Sequence, residues 1–139
     1  MMRIRDEQDA SATFSERYGR PGSDTTRELE RLVIGADFGA NGYTTLAQAD
    51  LMARMLRLRK GHRLLDVGSG RGWPGLYLAK TSECTVVLTD IPEQGMRTAQ
   101  ERAAVEGIAE RTSAVVASAR RLPFGAETFD AIVHTDVLC

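Results

Sequence analysis

Between residues 66 and 75 the chain reads Asp-Val-Gly-Ser-Gly-Arg-Gly-Trp-Pro-Gly, with glycine at 68, 70, 72 and 75. Glycine takes positive φ without a steric cost and lets a ligand lie directly on the backbone. A glycine run between an apolar strand and a helix start therefore turns the chain sharply. The unpaired N–H groups of that helix start, with the positive end of its dipole, suit an anionic group. A tight turn with no ligand needs one or two glycines rather than four. A second carboxylate, Asp90, closes the next apolar run, Thr85-Val-Val-Leu-Thr89. It is suited to hold a diol or to cap the helix that starts beyond Pro92. His134 follows Phe129-Asp-Ala-Ile-Val133 and is the one candidate general base, since imidazole titrates near neutral pH. The alternative is a strand-end histidine that offers only its backbone.

The elements that must position these groups follow from periodicity and punctuation. Arg63-Leu-Leu-Asp-Val67 and Thr85–Thr89 read as strands, with Ser113-Ala-Val-Val-Ala117 as a third. Phe129–Val133 is a fourth, after a turn around Pro123-Phe124-Gly125. The apolar runs are nearly continuous, and helical stretches at 76–81 and 93–106 separate the first three. These features predict a parallel sheet covered on both faces, an α/β doubly wound layout. Upstream, Asp24 is the expected N-cap of a helix over 25–34 that Gly35 stops, with Leu29, Leu32 and Val33 on one face. The glycine-rich stretch 35–42 is a loop. Thr44 or Thr45 caps a helix running to about Arg59, with Leu51, Met55 and Leu58 along it. Residues 1–23 are polar, contain Pro21-Gly22 and lack a strong apolar stripe. They read as a loosely held arm with a short helix near Glu7–Arg17.

Composition narrows the class. A chain of 139 residues is one domain of ordinary globular make-up, 42% apolar and 27% charged. Eighteen basic residues against 19 acidic ones leave a net charge of -1, which argues against a nucleic-acid binder of the electrostatic kind. All but two of the basic residues, Lys60 and Lys80, are Arg, a bias read as codon usage before phosphate recognition. No apolar run reaches the ~18–20 residues of a membrane span, and the N-terminus carries no secretory signal. Two cysteines, Cys84 and Cys139, make neither a disulfide framework nor a Cys-rich zinc site. No metal, no membrane and no nucleic-acid partner are expected, and the expected location is cytoplasmic.

Two ligand frames compete for the glycine loop. Gly70-x-Gly72-x-x-Gly75 formally satisfies a dinucleotide fingerprint, with Asp90 placed as a ribose-binding acid. In that fingerprint, however, the first glycine directly follows the strand, and Trp73-Pro74 is bulky where a pyrophosphate must approach. The frame that starts at Asp66 fits better. Leu64-Leu-Asp-Val-Gly-Ser-Gly-Arg-Gly72 resembles motif I of the class I S-adenosylmethionine-dependent methyltransferases. Val86-Val-Leu-Thr-Asp-Ile91 is similar to their second-strand motif. Arg121-Leu-Pro-Phe-Gly-Ala-Glu-Thr-Phe-Asp-Ala-Ile-Val133 resembles the segment leading into their fourth strand. The upstream Gly42-Tyr-Thr-Thr-Leu-Ala-Gln48 resembles the region that helps cover the cofactor in small-molecule methyltransferases.

The resemblance implies a Rossmann-like sheet in the order 3-2-1-4 behind N-terminal helices. Residues 1–41 would form the arm and helices, and residues 42–139 the S-adenosylmethionine-binding domain, its C-terminal half missing. It implies S-adenosyl-L-methionine as cofactor and a small-molecule methyl acceptor. The loop Gly68, Ser69, Gly70 and Gly72 would take the amino-acid part, and Asp66 would add negative charge near the ammonium and sulfonium. Asp90 would bind the ribose hydroxyls, and Ile91 would pack on adenine. Ser118 stands where many relatives carry Asp; with Ala119 it would meet the adenine edge, a hydroxyl doing more weakly what a carboxylate does. No N-P-P-aromatic motif follows the fourth strand, which argues against methylation of nucleobase or glutamine nitrogens. His134 would be the base, although transfer from a sulfonium can draw much of its rate from positioning. The alternatives are a non-catalytic nucleotide-cofactor-binding module and an NAD(P)-binding dehydrogenase domain. A fourth strand left as a bare edge would invite self-association along it.

Overall fold

A computed structural model describes residues 2–40 and 42–137, with side chains from residue 6 onward. The elements run α1 (Met2–Gly19), α2 (Asp24–Ile34), α3 (Leu46–Met55), β1 (Arg63–Val67), α4 (Gly75–Ser82), β2 (Thr85–Asp90), α5 (Glu93–Val105), a 3-10 turn (Ala109–Arg111), β3 (Thr112–Val116) and β4 (Ala131–His134). All strands pair in parallel, in the order β3-β2-β1-β4. Cys139 lies outside the described residues, and Cys84 is a buried free thiol.

Local chemistry sets most boundaries. The hydroxyl of Ser23 accepts the Thr26 N–H at 3.1 Å and caps α2. The cap thus falls one residue before Asp24, whose carboxylate pairs with Arg27 at 2.6 Å. Thr45 caps α3 in a full capping box with Gln48. That helix stops at Met55 rather than Arg59 because Arg57 takes a positive φ of 50°, a left-handed residue that helices do not continue through. Strand β4 starts at Ala131. Before it, Asp130 makes two bonds with Arg63: its N–H donates to the Arg63 carbonyl at 2.9 Å and its carboxylate accepts the Arg63 N–H at 2.8 Å. Phe129 packs edge-on against Phe124.

The register sets Leu64 beside Val86 and Ala131, and Asp66 beside Leu88 and Val133. Side chains alternate along a strand, so these residues share one face of the sheet. The core lies on that face, where Leu64, Val86, Leu88 and Val133 meet Ala49 of α3, Leu78 of α4 and Met96 and Ala99 of α5. On the other face Leu65 is buried, but Ile132 of the β4 edge is 57% exposed. Among the described residues, then, the expected cover of both faces is complete on one. The N-terminal segment is no loose arm either. It is an 18-residue helix that packs on α5 and buries Tyr18. Among the described residues no helix is long and apolar enough to cross a membrane.

Candidate functional site

At the carboxyl ends of β1, β2 and β4 opens a cavity of about 320 Å³. It lies where the strand order reverses, the place at which open parallel sheets take ligands. Gly68, Ser69, Gly70 and Arg71 form one wall, Asp90 and Ile91 a second, and Thr135 to Val137 a third. Ala10, Phe14 and Tyr18 of α1 close it from above.

The glycine loop is shaped by contacts that allow no side chain. Gly68 has a φ of 72°, and a Cβ there would stand 2.3 Å from Val137 Cγ2. At Gly75 the obstacle is the sheet: a Cβ would come 2.6 Å from Asp66 Oδ2 and 2.7 Å from Leu88 Cδ2. The last glycine thus lets α4 sit on β1. The loop's donors are largely committed. Gly68 and Ser69 both donate to the Thr89 carbonyl, and Gly72 donates to the Ser69 carbonyl. Gly70 N–H donates to Asp90 Oδ2 at 2.8 Å. The expected row of open N–H groups is therefore mostly absent, because the turn uses them to bind itself to β2. What the loop offers a ligand is bare backbone for close approach. It also offers the Ser69 hydroxyl, buried on this wall with no partner among the described residues.

Asp90 ends β2 half-buried, its Oδ1 accepting the Ile91 N–H at 2.8 Å. Each oxygen keeps a further lone pair. Burial raises its pKa, and the Gly70 and Ile91 N–H groups oppose the rise. Tyr18, also buried, has its phenol pushed up to about 12, by burial first and by the Asp90 charge second.

The predicted residues divide. Gly68, Ser69, Gly70, Asp90 and Ile91 are brought together around the cavity. Gly72 shapes the turn behind it, with a φ of 101°. Asp66 is fully buried beneath the loop, where Oδ2 accepts the Gly75 N–H at 2.8 Å and Oδ1 has no partner. Burial raises its pKa well above the ordinary carboxylate range, with Asp90 adding and the Gly75 N–H opposing. It does not line the cavity, so the expected negative charge beside a ligand is replaced by a buried anchor for α4. Ser118 and Ala119 lie outside the lining too. The Ser118 hydroxyl is given to Glu7 of α1 at 2.6 Å. His134 is exposed: alternation along β4 sends Ala131 and Val133 to the core and His134 away from it. Its neighbours Thr135 and Asp136 reach the cavity instead.

Sequence reading expected only a short helix near Glu7–Arg17 and missed that α1 runs Met2–Gly19 and roofs the site, although Ala10, Phe14 and Tyr18 fall at i, i+4 and i+8, the spacing of one helical face. It also passed over Asp136, whose Oδ2 accepts from Tyr43 N–H at 3.0 Å and the Thr44 hydroxyl at 3.1 Å. Trp73 ties the same segment down, donating from Nε1 to the Thr44 carbonyl at 2.9 Å and stacking on Phe38. Among the described residues no cluster of metal-ligating side chains occurs.

A family model described as a methyltransferase domain matches residues 64–139. Methyltransferase GfsG of Streptomyces halstedii is 35% identical over 55% of this chain and 28% of its own length. The 27-O-demethylrifamycin SV methyltransferase of Amycolatopsis mediterranei is 34% identical over 63% of this chain and 32% of its own. The chain thus spans about a third or less of the length of these curated relatives. Among solved structures, the [4+2]-cyclase SpnF is 30% identical, with a TM-score of 0.59 over 62% of this chain and 32% of that one. A methyltransferase from Thiobacillus denitrificans in complex with S-adenosyl-L-homocysteine shares the fold, with a TM-score of 0.63 at 21% identity. The match covers 78% of this chain and 43% of that one.

Proposed function

The chain belongs to the methyltransferase-domain family, and from that premise we propose that it binds S-adenosyl-L-methionine in the cavity between the glycine loop and Asp90 and serves methyl transfer to a small-molecule acceptor. The observation that carries the reading is the junction of β1 and β2. There the Asp90 carboxylate holds Gly70 N–H at 2.8 Å on the cavity wall. The residues present fit the cofactor: a two-oxygen acceptor for a diol, an apolar Ile91 for an adenine face, and an unpaired buried Ser69 hydroxyl for a polar end.

When bound, the cofactor supplies a methyl group on an electrophilic sulfonium. The chain's own work is binding, orientation and exclusion of water. Asp90 accepts from the ribose hydroxyls through lone pairs that Gly70 and Ile91 leave open. Gly68 and Gly70 let the ligand lie against the backbone. Phe14 and Tyr18 roof the cavity from α1. Positioning carries the rate in this reading, and His134, exposed and outside the lining, has no part in the displacement. A small-molecule acceptor is supported by the company the chain keeps, since two relatives carry the names of rifamycin and erythromycin methyltransferases.

Calorimetric titration with S-adenosylhomocysteine should show one site, and Asp90→Ala should abolish it while the variant still melts cooperatively. Binding of a nicotinamide dinucleotide in its place would overturn the reading and restore the dehydrogenase one. A second reading, binding without methyl transfer, is favoured by the likeness to a protein titled a cyclase. Cofactor binding with no labelled methyl passed to any acceptor would favour it.

A further inference from the structure

Beside the first cavity lies a second, of about 570 Å³, and the two share Gly39, Ala40, Gly42 and Arg71 in their walls. That volume suits a small molecule rather than a chain. One wall is apolar, from Leu29 and Val33 of α2 and Tyr43 beyond the loop. The shared wall is basic. A methyl group built on Gly39 would stand 3.0 Å from Arg102 Nη2 and 3.5 Å from Arg71 Nε. Guanidiniums from α5 and from the glycine loop therefore flank one point, and Arg17 of α1 lines the same space. Arg71 Nε donates to the Gly39 carbonyl at 2.9 Å, which holds the side chain at that wall.

The crowding has an electrostatic cost. Burial first and Arg102 second push the Arg71 pKa down, with Arg17 adding and Glu30 and Tyr18 opposing. Two carboxylates share the lining with the arginines, Glu30 acting on Arg71 and Asp37 on Arg31. Glu30 Oε1 takes the N–H groups of Phe38 at 2.7 Å and Ala40 at 2.9 Å, and Asp37 pairs with Arg31 at 3.1 Å. Like charges gathered on a half-buried wall are relieved by an anion that accepts from several of them at once.

We infer that this second cavity takes the methyl acceptor and that the acceptor is an apolar molecule bearing an anionic group, carboxylate or phosphate, held by Arg17, Arg71 and Arg102. The word acceptor rests on the methyl-transfer reading; the anion rests on the arginines alone.

Calorimetry with octanoate, octyl phosphate and octanol, each with and without S-adenosylhomocysteine, tests it. Octanoate or octyl phosphate should bind at least tenfold more tightly than octanol, and the stronger of the two names the headgroup. Arg102→Gln should erase that preference and leave S-adenosylhomocysteine affinity unchanged. Arg17→Gln, at an exposed position on another element, should weaken anion binding severalfold and stands in if the first variant fails to fold. Equal affinity for octanol and both anions overturns the inference, as does anion binding untouched by either folded variant. An arginine-dependent anion preference in a protein that does not bind S-adenosylhomocysteine supports the anion site and sinks the methyl-transfer reading.

Discussion

The segment from β1 through the glycine loop to α4 and the pair α1–α2 both wall the two adjoining cavities, yet they are built on opposite terms. In the first, Leu64, Leu65, Asp66 and Val67 are all buried, and the loop's N–H groups are taken by Thr89, Asp90 and Ser69. In the second, α2 turns Leu29, Leu32 and Val33 outward, Leu32 with 77% of its surface exposed. These helices are held by one face each, α1 against α5 with Tyr18 buried and α2 through Ile34 in the core, and by bonds such as Ser118 to Glu7 and Ser11 to the Ile91 carbonyl. The two designs suit different tasks. Close packing on both sides fixes where a ligand's polar ends must lie, and a wall packed on one face can shape a pocket with its other face open.

The sharpest way to break that comparison is to add one methyl group in each region. Gly75→Ala sets a Cβ against Asp66 and Leu88, atoms of the sheet that cannot retreat. Overpacking of this kind costs about 3 kcal/mol or more when nothing can shift, and denaturant unfolding should show a loss of that size. Gly95→Ala joins the two regions, its Cβ meeting Gly70 O and Tyr18 Cδ2, each at 2.8 Å. Tyr18 and α1 can withdraw, but the Gly70 carbonyl is backbone of the packed loop, so the expected loss is about 1–3 kcal/mol. It should come with increased proteolysis of α1, which Gly75→Ala should not cause. Equal proteolysis of α1 in the two variants would mean that α1 is as firmly set as α4.

This contrast also explains what was readable in the sequence. Strands β1 and β2 and the turn after Val67 were legible because their signals are local, an apolar run and glycines at fixed offsets. The strand order followed from the motif resemblance. The roles of Ser118 and His134 were not legible, because they depend on distant partners and on strand phase. The Ser118 hydroxyl is given to Glu7, 111 residues away in the chain. His134 is turned from the core by the alternation of β4, a register that no residue type announces. Asp66 was found as a motif residue, but its burial beneath Gly75, whose N–H it accepts, was not announced by the motif.

A subtler test concerns that burial. Folding raises the Asp66 pKa, with burial the leading cause. The neutral carboxyl therefore suits the fold better than the carboxylate. Its contribution to stability is full below the unfolded value of 3.8, and it is lost as pH rises through the raised folded value. Asp66→Asn imitates the neutral form and keeps an oxygen for the Gly75 N–H. The variant should match the parent near pH 4 and be the more stable of the two at pH 7.5. Asp90 is shifted in the same direction, so the decline with pH should flatten without vanishing. A steeper decline in the variant would show that the carboxylate is the form the fold prefers.

The smallest effect belongs to α2. Leu32 does not line either cavity, and most of its surface already meets solvent. Replacing it by Gln removes no buried area of consequence and keeps a good helix former in place. Substitutions of this kind stay within about 0.5 kcal/mol. Leu32→Gln should therefore leave the unfolding midpoint and S-adenosylhomocysteine affinity where they were and improve solubility. Leu64→Ala, on the core face of β1, is the matched control. It should cost about 2–5 kcal/mol, because a residue with no exposed surface leaves a cavity behind. Should Leu32→Gln cost as much as Leu64→Ala, the outer face of α2 would be packed against something in solution, and the contrast between the two regions would fall.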